Sequence, residues 1–469
     1  MPLRIRSLAG AGLAVGVSLA AGTGGCRDMR SPASPPFVVP VEYHKLSNGL
    51  RVVLSPDTTA PLVRVGVYYA VGPRQEPRER AGFAHLFEHL MFEGSPSLGP
   101  GEYFELVAGN GGRFGARTLY DFTKFNATVP SHVLELLLWA EADRMRAIRI
   151  DSTRFHAARE VVKNEIRQQA FDRPYGRFVW IDIPEVAQTK WENAHSVYGD
   201  AADGSLAAID AATLADARAF FQTYYSPDNA ALAICGDFDP VSALRWVQHY
   251  FGDIPRGPSR PRLDQEEPRQ ETERRVSRVD ANAPRPALAI AYHSPPPRSP
   301  QYWAMGIIDE ILVHGRDGWM YDALVSRRAV TDDVDGGISA RDGSLYTVNG
   351  PNFWSAFVYL DRAQSPDSVL AAMDQEIERL RSAPVDEETL RRAITKARAH
   401  FYAELNAARG EGRTDMLGQL ALFDDDPERI NRIEAELRSV TPAIVLATAR
   451  EYLRPSNRTV LVLRAGTSP

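Results

Sequence analysis

The hexapeptide Tyr224-Tyr225-Ser226-Pro227-Asp228-Asn229, which runs into the apolar stretch Ala230–Cys235, has an echo near the other end of the chain. There Tyr452-Leu453-Arg454-Pro455-Ser456-Asn457 runs into Arg458-Thr459-Val460-Leu461-Val462. Pro227 matches Pro455 and Asn229 matches Asn457. Before each copy lies a helical pattern (210–225 and 441–453), and after each a strand pattern. A helix, turn and strand recurring at the end of each half point to a duplicated α+β domain. One short echo arises by chance, so the matching order of the other elements matters more.

That order is similar in the two halves. In the first, strands are predicted at 51–54 and 63–70, with helices at 81–95, 102–110, 131–146 and 151–170. In the second, a strand at 287–292 precedes helices at 301–313 and 317–328. Strands at 345–349 and 354–360 and helices at 366–382 and 386–408 follow. Between the halves, 256–285 holds several prolines, many Arg and Glu and few apolar residues. It reads as a linker with a strand inside it or just after it. The divisions are therefore a leader at 1–26, a Pro/Ser-rich tether at 27–39, a first domain at 40–255, the linker, and a second domain at 286–466.

The leader bears on location. Arg4 and Arg6 precede a small, apolar run, Leu8–Ala21, too short for a membrane span. Thr23-Gly24-Gly25-Cys26 then resembles a bacterial lipobox, in which the cysteine is lipidated; Thr23 stands where Leu is usual. The alternatives are an ordinary signal cleaved near Ala21 or an uncleaved anchor. Each exports the chain, so the expected place is the cell envelope, periplasmic and lipid-anchored through Cys26. The other cysteine, Cys235, reads as a buried strand residue. With a net charge of −6 and no basic patch standing out along the sequence, nucleic acid is excluded as a partner.

The chemistry concentrates in Gly82-Phe83-Ala84-His85-Leu86-Phe87-Glu88-His89-Leu90-Met91-Phe92. Apolar residues at 83, 86, 87, 90 and 91 make a buried helix. Positions i and i+4 lie one turn apart on one face, so His85 and His89 can address one metal ion. Glu88 shares that face and can hydrogen-bond a metal-bound water without ligating the metal. This order is the inverted zincin signature. A catalytic zinc uses three protein ligands, and Glu165, on the helix predicted at 155–170, could complete a His₂Glu set. Two His and one Glu also occur by chance on surface helices, but this helix is apolar on several sides, where unpartnered His and Glu are costly.

The segment resembles the pitrilysin / mitochondrial-processing-peptidase family of zinc metallopeptidases. That family pairs His-x-x-Glu-His with a Glu some 75 residues later, and Glu165 lies 76 positions after His89. Leu90-Met91-Phe92-Glu93-Gly94-Ser95 and the stretch from Tyr224 to Asp239 match as well, and the likeness covers roughly 40–466. It implies two homologous α+β domains, each an antiparallel-rich sheet packed against helices, and a zinc endopeptidase with Glu88 as general base. It also implies that substrate peptide adds as a strand along 111–125, with Gly115, Ala116 and Phe125 as candidate substrate-binding residues. The plain alternative for 111–125 is a glycine-led edge strand.

Three departures stand out. Gly115-Ala116 replaces a common Asn-Ala. Ala158 stands where the family often has a Glu, with Glu160 close by. In the second domain, Val325 and Asp332 occupy the places of an Arg and a Tyr that hold substrate and oxyanion, and Arg327 and Arg328 are near but displaced. The likeness therefore implies a related zinc-less partner subunit supplying Arg and Tyr, or else a homodimer. The expected function is hydrolysis of short or unfolded peptides in the bacterial envelope; the alternative is a non-catalytic peptide-binding or assembly subunit.

Overall fold

In the computed structural model, the residues described are 37–198, 204–261, 264–338, 345–346, 348–361, 363–407 and 411–466. The leader, Cys26 and most of the tether lie outside them. Val39–Pro469 form one compact unit.

Two sheets organise that unit. The first contains β1 (Glu42–Lys45), β2 (Arg51–Pro56), β3 (Leu62–Tyr69), β4 (Arg113–Thr118), β5 (Thr123–Pro130) and β6 (Ala230–Gly236), in the order β1-β2-β6-β3-β5-β4. The second contains β7 (Arg274–Asp280), β8 (Ala287–His293), β9 (Asp335–Ile338), β10 (Phe353–Tyr359) and β11 (Arg458–Ala465), in the order β7-β11-β8-β10-β9. The last five strands of the first sheet correspond one for one to the five of the second. Each sheet has a single parallel pair at the same place, β2 with β6 and β7 with β11. The architecture is α+β and antiparallel-rich, as expected.

The echoed asparagines explain why the echo exists. Asn229 Nδ2 donates to Tyr224 O at 2.8 Å and to Ala70 O at 3.3 Å. Asn457 Nδ2 donates to Tyr452 O at 2.6 Å and to His293 O at 3.1 Å. In both halves one amide ties a helix end to the exit of the neighbouring strand, satisfying carbonyls that the helix leaves open.

Some second-half expectations need correction. Among the described residues of 345–349 no strand forms. The strand beside β10 is β9, whose Asp335-Gly336-Gly337 reads as a turn. Those glycines permit the pairing. Gly337 has φ +129°, and a Cβ at Gly336 would meet Ser355 O at 2.2 Å. The helix expected at 317–328 divides into Trp319–Tyr321 and a wide i→i+5 turn at Asp322–Ser326. A helix at Glu411–Gln419 was not anticipated because glycines blur its pattern. Gly418 lets it lie directly on the Tyr68 ring.

The first sheet is covered on both faces. Leu54, Val65, Val67, Ala127 and Ile234 face a core shared with α1 (Phe83–Leu90), α2 (Glu102–Gly109), α3 (Leu134–Arg146) and α4 (Ser152–Ile166). Val53, Tyr68, Ala231 and Cys235 face the second half. The halves also meet through a buried ion pair. Arg74 Nε donates to Asp121 Oδ1 at 2.7 Å, and Asp121 Oδ2 accepts from the Asn349 and Gly350 N–H groups.

A second buried pair underlies β4. Arg144 and Glu141 are both about 2% exposed. Tyr103 Oη donates to Glu141 Oε1 at 2.5 Å, and the Arg144 guanidinium lies 4.6 Å from the Phe125 ring centre. Removing one partner leaves an uncompensated charge in the core. Glu141→Ala should therefore lower unfolding stability by about 3–5 kcal/mol in a urea titration; a loss below about 1 kcal/mol would contradict that account of the pair.

Candidate metal centre

The helix α1 starts without a side-chain cap of its own. Gly82 stands at its N-terminus with φ +85°, a conformation that glycine adopts without penalty. The first-turn N–H groups need acceptors, and the fully buried Glu76 supplies them. Its Oε2 accepts from Gly82 N at 2.7 Å and its Oε1 from Ala84 N at 2.5 Å. A carboxylate there is also favoured by the helix dipole. Phe83, Leu86, Phe87 and Leu90 enter the core, Phe87 stacking on Phe220 and Tyr225 at 5.2 and 5.1 Å between ring centres. That packing fixes the rotation of α1 and so the direction of His85, Glu88 and His89.

Glu165 comes from the last turn of α4, whose start is capped by Asp151 accepting from Arg154 N at 2.9 Å. Immediately after it the backbone widens into an i→i+5 turn at Arg167–Phe171, a feature often found beside functional positions. His85 Nε2 lies 3.4 Å from His89 Nε2, and Glu165 Oε2 lies 3.6 and 3.5 Å from them. A tetrahedral zinc with bonds of about 2.0–2.1 Å sets its ligand atoms about 3.4 Å apart. The donor types and the spacing therefore fit zinc. Among the described residues this is the one group of three or more His, Cys, Asp or Glu side chains drawn together so closely.

The electrostatics are consistent with a shared charge. Burial lowers the His85 pKa, but the hydrogen bond to Glu165 and the charges of Glu88 and Glu165 outweigh it and leave it raised above 6.5. Hydrogen bonds from His85 and His89 hold the Glu165 carboxyl well below the usual carboxylate range, against the opposing effect of burial.

Glu88 is held from the side. Its Oε2 accepts from Thr118 N and Thr118 Oγ1, both at 2.8 Å. Thr118 ends β4, the last strand of its sheet, so the carboxylate and the sheet edge are tied together. Gly115 and Ala116 lie on this edge strand. Phe125 is buried beneath it, opposite Ala116 on β5, and supports the edge from behind. Asn126, opposite Gly115, lines the groove along β4, a role not read from the sequence.

The departures also find their places. Ala158 is buried in the core, while Glu160 pairs with Lys163 at 3.0 Å. Asp332 pairs with Arg285 at 2.9 Å. Arg327 binds Asp322 and Glu376, both at 2.8 Å, and Arg328 Nη2 donates to Gln375 at 2.9 Å. Val325 is half-buried. Sequence reading also missed Glu76, Thr118 and Tyr198, whose ring packs edge-on against His85 at 5.8 Å. Only Glu76 carried a signal, as an acid shortly before a helix that has no N-cap side chain.

Comparison with known proteins places the chain by family and fold. Residues 51–174 match the family profile described as insulinase (peptidase family M16), and residues 211–397 the profile described as peptidase M16 inactive domain. The chain belongs to the M16 family of peptidases. It is 23% identical over 431 residues to the zinc protease PqqE of Helicobacter pylori, covering 89% of this chain and 91% of that protein. It is 23% identical over 268 residues to a probable mitochondrial-processing peptidase subunit beta of Arabidopsis thaliana, covering 57% and 49%. Its fold is similar to the crystal structure of a protease from Helicobacter pylori, with TM-score 0.82 and 20% identity, covering 91% of this chain and all of that one.

Because a ligand histidine must be deprotonated, a proton on His85 competes with metal. His85 has a raised pKa, so zinc affinity should be full only above that value and fall as pH drops through it. Chelator competition from about pH 8.5 to 5.5 measures this. A flat profile, or an unchanged affinity in Glu165→Ala, would contradict the ligand set.

Proposed function

We propose that this chain is the zinc-bearing subunit of an endopeptidase that hydrolyses short or unfolded peptides in the bacterial envelope. The observation that carries the reading is the position of Glu88. It stands between His85 and His89 in the sequence of α1 and is fastened through Thr118 to the end of an edge strand. A peptide paired along β4 would present a backbone carbonyl near that end. His85, His89 and Glu165 would hold zinc, which when bound polarises a carbonyl and lowers the pKa of water. Glu88 would take the proton of the attacking water and return it to the leaving amine. Thr118 orients the carboxylate by occupying Oε2, which leaves Oε1 for the water.

The relatives named zinc proteases support the cofactor, and the lipobox-like sequence at Cys26 supports envelope location with a lipid anchor. The division into a zinc domain at 40–255 and an inactive domain at 286–466 follows the two sheets, with β7 of the linker joining the second. Supply of the oxyanion groups by a related partner subunit is favoured by Val325 and Asp332, and by the engagement of Arg327 and Arg328 with Asp322, Gln375 and Glu376. The same observation supports a second reading, a non-catalytic peptide-binding subunit.

Glu88→Gln separates the two. It should lower the cleavage of a mixed quenched-fluorescent peptide library by about 10²–10⁴-fold while zinc content stays unchanged. The assay is run with the chain alone and with a candidate partner. Turnover equal in wild type and variant would sink the peptidase mechanism. Turnover by the chain alone would remove the need for a partner.

A further inference from the structure

The groove along β4 has a volume of about 930 Å³, and Asn126 of β5 is among its lining residues. Asn126 is 7% exposed. A carboxamide carries two donors and an acceptor, and one so buried is as a rule hydrogen-bonded within the protein. The Asn126 amide has no hydrogen-bond partner among the described residues. Strand register gives the reason. Asn126 lies opposite Gly66 of β3 on one side and opposite Gly115 of β4 on the other, so neither neighbouring strand sets a side chain directly across from it. The two glycines are not equivalent. Above Gly66 the space is taken by the Tyr68 ring, whose hydroxyl donates to Asp415 at 2.7 Å. Above Gly115 the nearest atoms are those of the Asn126 amide itself: a Cβ there would meet Oδ1 at 3.3 Å and Nδ2 at 3.8 Å. The amide therefore leans across β4, the last strand of its sheet, toward the open edge.

A strand added to β4 continues this row. Its residue opposite Gly115 projects onto the face that holds Asn126, because side chains of one face line up across the strands of a sheet. Cβ atoms of directly opposite residues lie about 4.5–5.5 Å apart. With no side chain at Gly115, nothing stands between that residue and the amide. A side chain that both donates and accepts matches the two ends of a carboxamide. An aliphatic one leaves both ends unpaired where the bound peptide covers them. The row lies three residues before Thr118, roughly 10 Å away at about 3.4 Å per residue, so it acts on binding and not on the proton held at Glu88. We infer that Asn126 reads the substrate side chain opposite Gly115 and selects a carboxamide, Asn or Gln, at that position. The inference rests on the reading of β4 as the strand that receives the peptide.

The test uses quenched-fluorescent peptides of one length in which one position at a time carries Asn or Gln, or their near-isosteres Leu or Met. Mass spectrometry of the products places each position relative to the cleaved bond. With the zinc-loaded chain, and with its partner where one is required, one position should favour the carboxamides by about five- to tenfold in KM, with little change in kcat. Asn126→Leu should abolish that preference. Gly115→Ala should weaken it, because the added methyl crowds the amide while leaving it in place; should Asn126→Leu not fold, Gly115→Ala decides in its stead. KM values equal within each isosteric pair at every position, or a preference that survives the deciding variant, would overturn the inference while leaving the peptidase reading intact. If none is cleaved, the same sequences, singly labelled, are titrated by fluorescence anisotropy against the zinc-loaded Glu88→Gln chain with and without Asn126→Leu. Binding that favours carboxamides only while Asn126 is present then supports the inference although the peptidase reading fails, and unselective or absent binding overturns it.

Discussion

The carboxylate of Glu76, buried at the N-terminus of α1, is the interaction on which the site depends. A helix that begins at a left-handed glycine inside a core has first-turn N–H groups with no water to satisfy them, and leaving such groups unpaired costs about 1–3 kcal/mol each. Glu76 accepts from two of them. His195 lies 3.5 Å from the same carboxylate. This anchor lets α1 start deep in the protein. Its apolar residues can then lock its rotation, and His85 and His89 come to face Glu165 rather than solvent.

The two components of the site answer different needs. The three candidate ligand atoms come from two helices whose packing is set by the core. The candidate base is held by the sheet, through Thr118. Glu88 sits at the junction of α1 and β4, so in the proposed function the position of a peptide on the edge strand would be coupled to that of the proton acceptor. The second half of the chain shares the sheet topology but has no such cluster among its described residues. Its contribution here is structural: it covers the other face of the first sheet and receives Asp121 at Asn349 and Gly350.

Much of this was readable in the sequence because it depends on spacing along a helix. His85, Glu88 and His89 follow from i, i+3 and i+4 geometry. The duplication followed from Pro227/Pro455 and Asn229/Asn457, whose amides make the same helix-to-strand bonds in both halves. What escaped depends on contacts distant in sequence or on glycine. Glu76 reaches the helix from six residues before Gly82, outside the usual capping spacing. Glu141 and Arg144 look like an ordinary surface i, i+3 pair until the aromatic rings around them are seen. β9 was hidden because Gly336 and Gly337 signal a turn, whereas here the absent side chains let two strands approach.

The central claim is that two imidazoles and one carboxylate hold a zinc ion in an open, four-coordinate site. X-ray absorption at the zinc edge of the zinc-loaded full chain tests it most directly. The account predicts four nitrogen or oxygen neighbours at about 2.0–2.2 Å, two of them with imidazole scattering, and one imidazole fewer in His89→Ala. A six-coordinate zinc lacking imidazole scattering, or a spectrum unchanged by His89→Ala, would contradict it.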